Sequence, residues 1–211
     1  MRKLTATFLS IFLYTSALAG STPQKEVTTS AYPQEEGYTI YDVNFEGPVN
    51  SSSATAISLV LNEANEQDIV RLTINSGGGT IKDLHTMLIA MKDTKATVFC
   101  TIDEFAASAA AILAWNCPSL TATPKSVVLY HKVATSFLEF MFAGRLTSNK
   151  IDEISSKLKV ADILLYTFYL KGAMNTEELD RYWAGHDVAV DADEIVERHS
   201  RPERPDRLPR R

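Results

Sequence analysis

The chain has 211 residues, of which 45% are hydrophobic and 22% charged, with a formal net charge of −5. That composition supports one domain with a real core and excludes a disordered or collagen-like chain. No apolar run approaches the roughly 18 residues that span a bilayer, and the acidic balance excludes a protein that coats nucleic acid over its whole surface.

The chain begins with the basic Met1-Arg2-Lys3, a short apolar core from Phe8 to Tyr14, and the small residues Ala17 and Ala19 before Gly20. These three parts, in this order, predict a cleavable export signal over 1–19 and a periplasmic or secreted destination; the alternative is a cytoplasmic protein whose first helix is amphipathic. Residues 20–36 are polar and contain proline, and are expected to be a flexible leader. The alternation from Tyr38 to Phe45 predicts a strand. Ala54 to Ala64 has helical spacing after the cap-rich Ser51-Ser52-Ser53. Ile69 to Ile74 reads as a strand, Gly77-Gly78-Gly79 breaks it, and Ile81 to Met91 reads as a helix. Ala96 to Ile102 is β-like, Phe105 to Trp115 reads as an alanine-rich helix, and Ser126 to Tyr130 as a strand. Ile151 to Leu170 reads as a long amphipathic helix. Its apolar stripe includes Leu158, Ala161, Leu164, Leu165 and Phe168. Strands alternating with helices of these lengths predict an α/β domain over 37–200 with mostly parallel crossovers. Residues 201–211 form an Arg/Pro-rich tail. The charge is uneven. Residues 20–197 carry 13 basic and 24 acidic side chains, whereas 198–211 carry six Arg against Glu203 and Asp206.

Three features bear on chemistry. The glycine turn at 77–79 lies between a strand and a helix, where bare N–H groups can face a ligand oxygen. It lacks the Lys-Ser/Thr of a P-loop. Ser108 stands among alanines, so a substrate can approach its hydroxyl, and the N–H of Ala109 is placed to serve an oxyanion. His131 ends a buried strand. Each alone is weak: glycine tightens many turns, serine packs or caps, and a strand-end histidine is most often a satisfied core group.

Together, Ile74-Asn75-Ser76-Gly77-Gly78-Gly79, Ala106-Ala107-Ser108-Ala109-Ala110 and Val128-Leu129-Tyr130-His131 resemble the proteolytic subunit of the Clp protease family. Ile151 to Met174 resembles its long handle helix. His186-Asp187 followed by Asp191-Ala192-Asp193-Glu194 resembles the segment that holds the family's acid. The resemblance runs from about Tyr38 to Glu197. It implies a ClpP/crotonase-like α/β fold, built of repeated ββα units with a long handle helix.

It also implies a serine-type endopeptidase acting on peptides or unfolded proteins, with Ser108 as nucleophile, His131 as general base and Asp187 as the acid that orients the imidazole. Gly79 or Gly78, with Ala109, would supply the oxyanion donors. A homo-oligomer is implied, with no cofactor. No ATPase partner and no nucleic acid are expected.

Asp180, Asp191 and Asp193 compete with Asp187 on spacing alone. Lys132, Lys125 and Lys171 are alternative bases, since exported peptidases of similar fold use Ser-Lys pairs. Gly77 replaces the family proline, Glu104 stands where the family has glycine, and Lys132 where it has glutamine. A non-catalytic assembly or binding module of the same fold is the alternative function. A coenzyme-A enzyme of the wider crotonase group fits poorly. Cys100 and Cys117 can meet if the strand turns back along the helix after Ser108; the alternatives are a disulfide and two buried thiols. The scattered histidines predict no metal site.

Overall fold

A computed structural model describes residues 27–35, 37–133 and 148–201. The expected export signal, the start of the leader and the tail from 202 lie outside the described residues. A seven-stranded sheet organises the chain: β1 (Thr28–Pro33), β2 (Thr39–Glu46), β3 (Ile69–Ser76), β4 (Thr97–Ala107), β5 (Leu120–Ala122), β6 (Val127–Tyr130) and β7 (Val188–Asp191). The order is β1-β2-β3-β4-β6-β7, with β5 also pairing with β4. The central pairs are parallel, while β1 and β7 run antiparallel at the two ends.

Helices α1 (Ser51–Glu63), α2 (Ile81–Asp93) and α3 (Ala109–Trp115) connect successive strands. Asn50 starts α1 with a capping box closed by Ser53, and Thr80 starts α2 by accepting from the Asp83 N–H. Each cap satisfies N–H groups that have no partner within the helix. Alternation along β3 and β4 buries Val70, Leu72 and Ile74 beside Val98, Cys100 and Ile102. Ile57, Leu61, Leu84, Met87 and Leu113 close the same core from the helices. Each such side chain contributes about 1.5–3 kcal/mol when fully buried.

The second half of the chain wraps this unit. Helix α4 (Ser148–Leu165) continues into a π-helical turn at Tyr166–Leu170, then come α5 (Thr176–Ala184) and α6 (Ala192–Ser200). Asn116 Nδ2 donates to the Tyr169 carbonyl at 3.0 Å and ties the end of α3 to the π turn. His199 Nε2 bonds the Cys117 carbonyl at 2.8 Å, with its ring edge-on to Trp115.

Several expectations need correction. Part of the expected leader is strand β1, hydrogen-bonded to β2. All six of its residues are exposed, so no hydrophobic pattern marked it. The expected helix from Phe105 begins only at Ala109, because Phe105, Ala106 and Ala107 pair with Val127, Val128 and Leu129 of β6. Strands β5 and β7 had no signal long enough to read. The apolar stripe of α4 and its π turn divides between the two roles its excess of apolar residues allows: Leu165 is buried in the core, whereas Val160, Ile163, Leu164 and Phe168 are exposed.

Candidate active site

Ser108 is the single residue between β4 and α3. Its N–H donates to the Leu129 carbonyl at 2.8 Å, the last rung joining β4 to β6. Its backbone adopts φ 54° and ψ −123°. A non-glycine residue holds such a conformation at a cost of about 1–3 kcal/mol, and only where the surroundings enforce it. Here the parallel ladder arrives from one side and a helix leaves on the other, so the hydroxyl sits at the tip of a sharp strand-to-helix turn.

The glycine turn packs directly beneath. A Cβ on Gly78 would lie 2.5 Å from the Ala107 carbonyl oxygen, 2.7 Å from Ser108 Cβ and 2.8 Å from the Ala109 nitrogen. A Cβ on Gly79 would lie 2.1 Å from the Val49 carbonyl oxygen. Glycine is therefore required at both positions by close backbone approach. The Gly78 N–H donates to Ser76 Oγ at 3.1 Å. The Gly79 and Ala109 N–H groups donate to no acceptor among the described residues. Of the expected oxyanion donors, Gly79 and Ala109 are thus available, and Gly78 is engaged.

His131 follows the last residue of β6. Its Nδ1 lies 2.7 Å from the Lys132 carbonyl oxygen. A carbonyl only accepts, so Nδ1 is the donor in this contact, and in the neutral ring Nε2 is then the acceptor. Asp187 immediately precedes β7. The β6–β7 ladder ends at Tyr130 opposite Val188, so its next register step sets His131 against Asp187. Ser108, His131 and Asp187 thus adjoin β4, β6 and β7 at the same end of these strands. No hydrogen bond joins Ser108 to His131 or His131 to Asp187, and Asp187 is exposed. Catalytic hydrogen bonds are often long without substrate and tighten in the complex.

Two other residues have defined places. Glu104 has φ 65°, in the left-handed region. It lies in a bulge where β4 gains residues against β3 between the pairs Ile74–Ile102 and Ser76–Ala106. Its N–H donates to Ser126 Oγ at 3.1 Å, and its carboxylate accepts from Asn75 Nδ2 at 3.2 Å. Lys132 Nζ donates to the Trp183 carbonyl at 2.6 Å and lies over the Trp183 ring. Asp162, buried on α4, escaped the sequence reading. It accepts from the Val133 N–H and the Tyr182 hydroxyl. The available signal was an acid inside an otherwise apolar helix face.

Cys100 and Cys117 form a disulfide with Cα atoms 6.1 Å apart, so Ser108 lies within the loop they close. Among the described residues, no group of three or more His, Cys, Asp or Glu side chains is arranged to hold a metal ion. Comparison with family models matches residues 35–164 to the Clp protease family. The matched span includes Ser108, the glycine turn and His131, and ends before Asp187. A search of curated proteins finds no match.

Proposed function

From the premise that the chain belongs to the Clp protease family, we propose that it is a serine endopeptidase that cleaves peptides or unfolded polypeptides. The observation that carries this reading is Ser108 itself, held at φ 54° on a strand-to-helix turn beside an unengaged Ala109 N–H. In the proposed reaction Ser108 Oγ attacks the scissile carbonyl while His131 Nε2 takes its proton. The Gly79 and Ala109 N–H groups receive the developing oxyanion, and His131 returns the proton to the leaving amine. Asp187 stabilises the imidazolium from the adjoining loop.

A fluorophosphonate should label Ser108, and Ser108→Ala should abolish both labelling and peptide hydrolysis. His131→Ala should abolish hydrolysis with the fold intact, whereas Asp187→Asn should leave a residual rate from the oxyanion donors and nucleophile. The exposed Asp187 favours the second reading, a non-catalytic module; a folded chain that takes no label would select it.

The export-like first residues and the buried disulfide support an oxidising compartment without ATP. The protein should then degrade casein but spare a folded fluorescent protein, with or without ATP. Degradation of the folded substrate only when ATP and a Clp ATPase are both added would reject this placement. The exposed Val160, Ile163 and Leu164 of α4, with Phe168 of the π turn that follows, support a homo-oligomer built on this helix.

A further inference from the structure

The peptide group joining Lys132 to Val133 is held at both of its polar ends. Its carbonyl oxygen accepts from His131 Nδ1 at 2.7 Å. Its N–H donates to Asp162 Oδ1 at 2.6 Å. In a trans peptide the C=O and N–H point in opposite directions, and the described residues contain no cis peptide bond. Securing the N–H on Asp162 therefore aims the carbonyl at the imidazole.

Asp162 is only 4% exposed. A carboxylate so buried is costly unless donors surround it. Among the described residues it has two: the Val133 N–H, and the Tyr182 hydroxyl at 3.3 Å. Burial, with the charge and hydrogen bond of Asp162, pushes the Tyr182 hydroxyl far above its ordinary pKa, so it remains a donor. The neighbouring Lys132 is fastened to the same element, through the carbonyl and ring of Trp183. On its other side His131 adjoins the β6–β7 ladder. The residue expected to move protons thus sits between a rigid ladder and a charged anchor.

We propose that Asp162 is a positioning residue for His131, acting through the Lys132–Val133 peptide group. The carboxylate holds and polarises the peptide, and the carbonyl holds the Nδ1 proton. Nε2 is then the nitrogen that accepts the proton from Ser108 Oγ, while the Nδ1 proton stays where it is. Successive hydrogen bonds polarise one another, so the buried negative charge also favours the imidazolium once it forms. This role is separate from that proposed for Asp187, which precedes β7. It rests on the peptidase reading above, and its test has a readout that does not need catalysis.

The experiment compares the full chain with Asp162→Ala and Asp162→Asn. The tautomer of His131 is read from its imidazole 15N shifts in a Ser108→Ala background, and kcat and KM are measured on a short peptide with Ser108 present. The parent should show the Nδ1–H tautomer, and Asp162→Ala should move the ring toward Nε2–H. In the alanine variant kcat should fall about 100-fold with KM changed less than about twofold, the cost of a misplaced catalytic group. Asparagine keeps an oxygen for the Val133 N–H but not the charge, so it should retain the tautomer and lose only about threefold to tenfold in kcat. An alanine variant with unchanged tautomer would overturn the inference. So would an asparagine variant with the parent kcat, and that comparison decides the matter if the alanine variant does not fold. An inert parent that still shows the tautomer shift would reject the peptidase reading and leave the role of Asp162 standing.

Discussion

Ser108, at φ 54° and ψ −123°, and Glu104, at φ 65°, both occupy backbone conformations that glycine adopts without cost. The two differ in what holds them. Ser108 is forced by the meeting of β4, α3 and Gly78, and it carries the hydroxyl that the proposed chemistry needs. Glu104 sits in the β4 bulge, where the resembling family has glycine, so its conformation explains that preference. Replacing either by glycine relieves strain. Ser108→Gly and Glu104→Gly should each raise the free energy of unfolding by about 1 kcal/mol, after the entropic cost of glycine is subtracted. Urea denaturation of both variants measures this. Ser108→Gly should be fully inactive, while Glu104→Gly should stay active; a stabilised but inactive Glu104→Gly would make the carboxylate part of the site.

At the scale of elements, the strand-turn-helix unit that carries Ser108 is closed by the Cys100–Cys117 disulfide, which spans a sequence separation of 17. Closing a loop of that size contributes about 3 kcal/mol by restricting the unfolded chain. The double variant Cys100→Ala/Cys117→Ala should lose about that much in chemical denaturation, and reducing agent should lower the melting temperature of the parent but not of the variant.

A second element-scale device ties α5 to α6. Arg198 is buried and donates to the Ala173 carbonyl, to both oxygens of Glu178 and to Glu194. Burial pushes the Glu178 carboxyl up, but the Arg198 hydrogen bonds and charge, the Asn175 N–H and the Arg181 charge together hold it below the ordinary carboxylate range. A folded pKa below the unfolded one means that this stabilisation is complete above the unfolded carboxyl pKa, about 4.3, and is lost as pH falls through the lowered folded value. Thermal melts of Glu178→Gln should therefore show lower stability than the parent at pH 7 and a flatter decline below about pH 4.5.

Over the whole molecule, parallel β-α-β connections deliver the ends of β4 and β6 to the same edge, and antiparallel β7 begins at that edge. Ser108 and His131 follow those strand ends and Asp187 precedes β7, so residues distant in sequence are placed at the same end of these strands. The proposed assembly surface lies on α4 and its π turn, where Val160, Ile163, Leu164 and Phe168 are exposed in the single chain. If this surface joins copies, Leu164→Asp should dissociate the assembly to a monomer in light scattering while leaving the circular dichroism of the fold unchanged. A parent chain that is already monomeric would remove the homo-oligomer from the proposal.

Periodicity made β2, β3 and the helices α1 and α2 legible, because each buries one face and spaces its apolar residues accordingly. The glycine turn, Ser108 and His131 were legible because their residue types and order are restrictive. Strand β1 was not, since all its residues face solvent and only backbone hydrogen bonds to β2 define it. The extent of β4 was misread because Ala106 and Ala107 favour helix locally, whereas pairing with β6 holds them extended. By itself, the sequence determined the α/β class and the candidate nucleophile and base; the close backbone approaches that require glycine at 78 and 79 came from the structure. Only the tertiary structure decided which N–H groups are engaged among the described residues, which imidazole nitrogen faces the Lys132 carbonyl, and that Asp162 reaches the Lys132–Val133 peptide. The first two are contacts between near neighbours in sequence, Gly78 with Ser76 and His131 with Lys132, whose directions follow from the backbone conformation of the folded turns; the third joins segments 29 residues apart that meet only when the helices pack on the sheet.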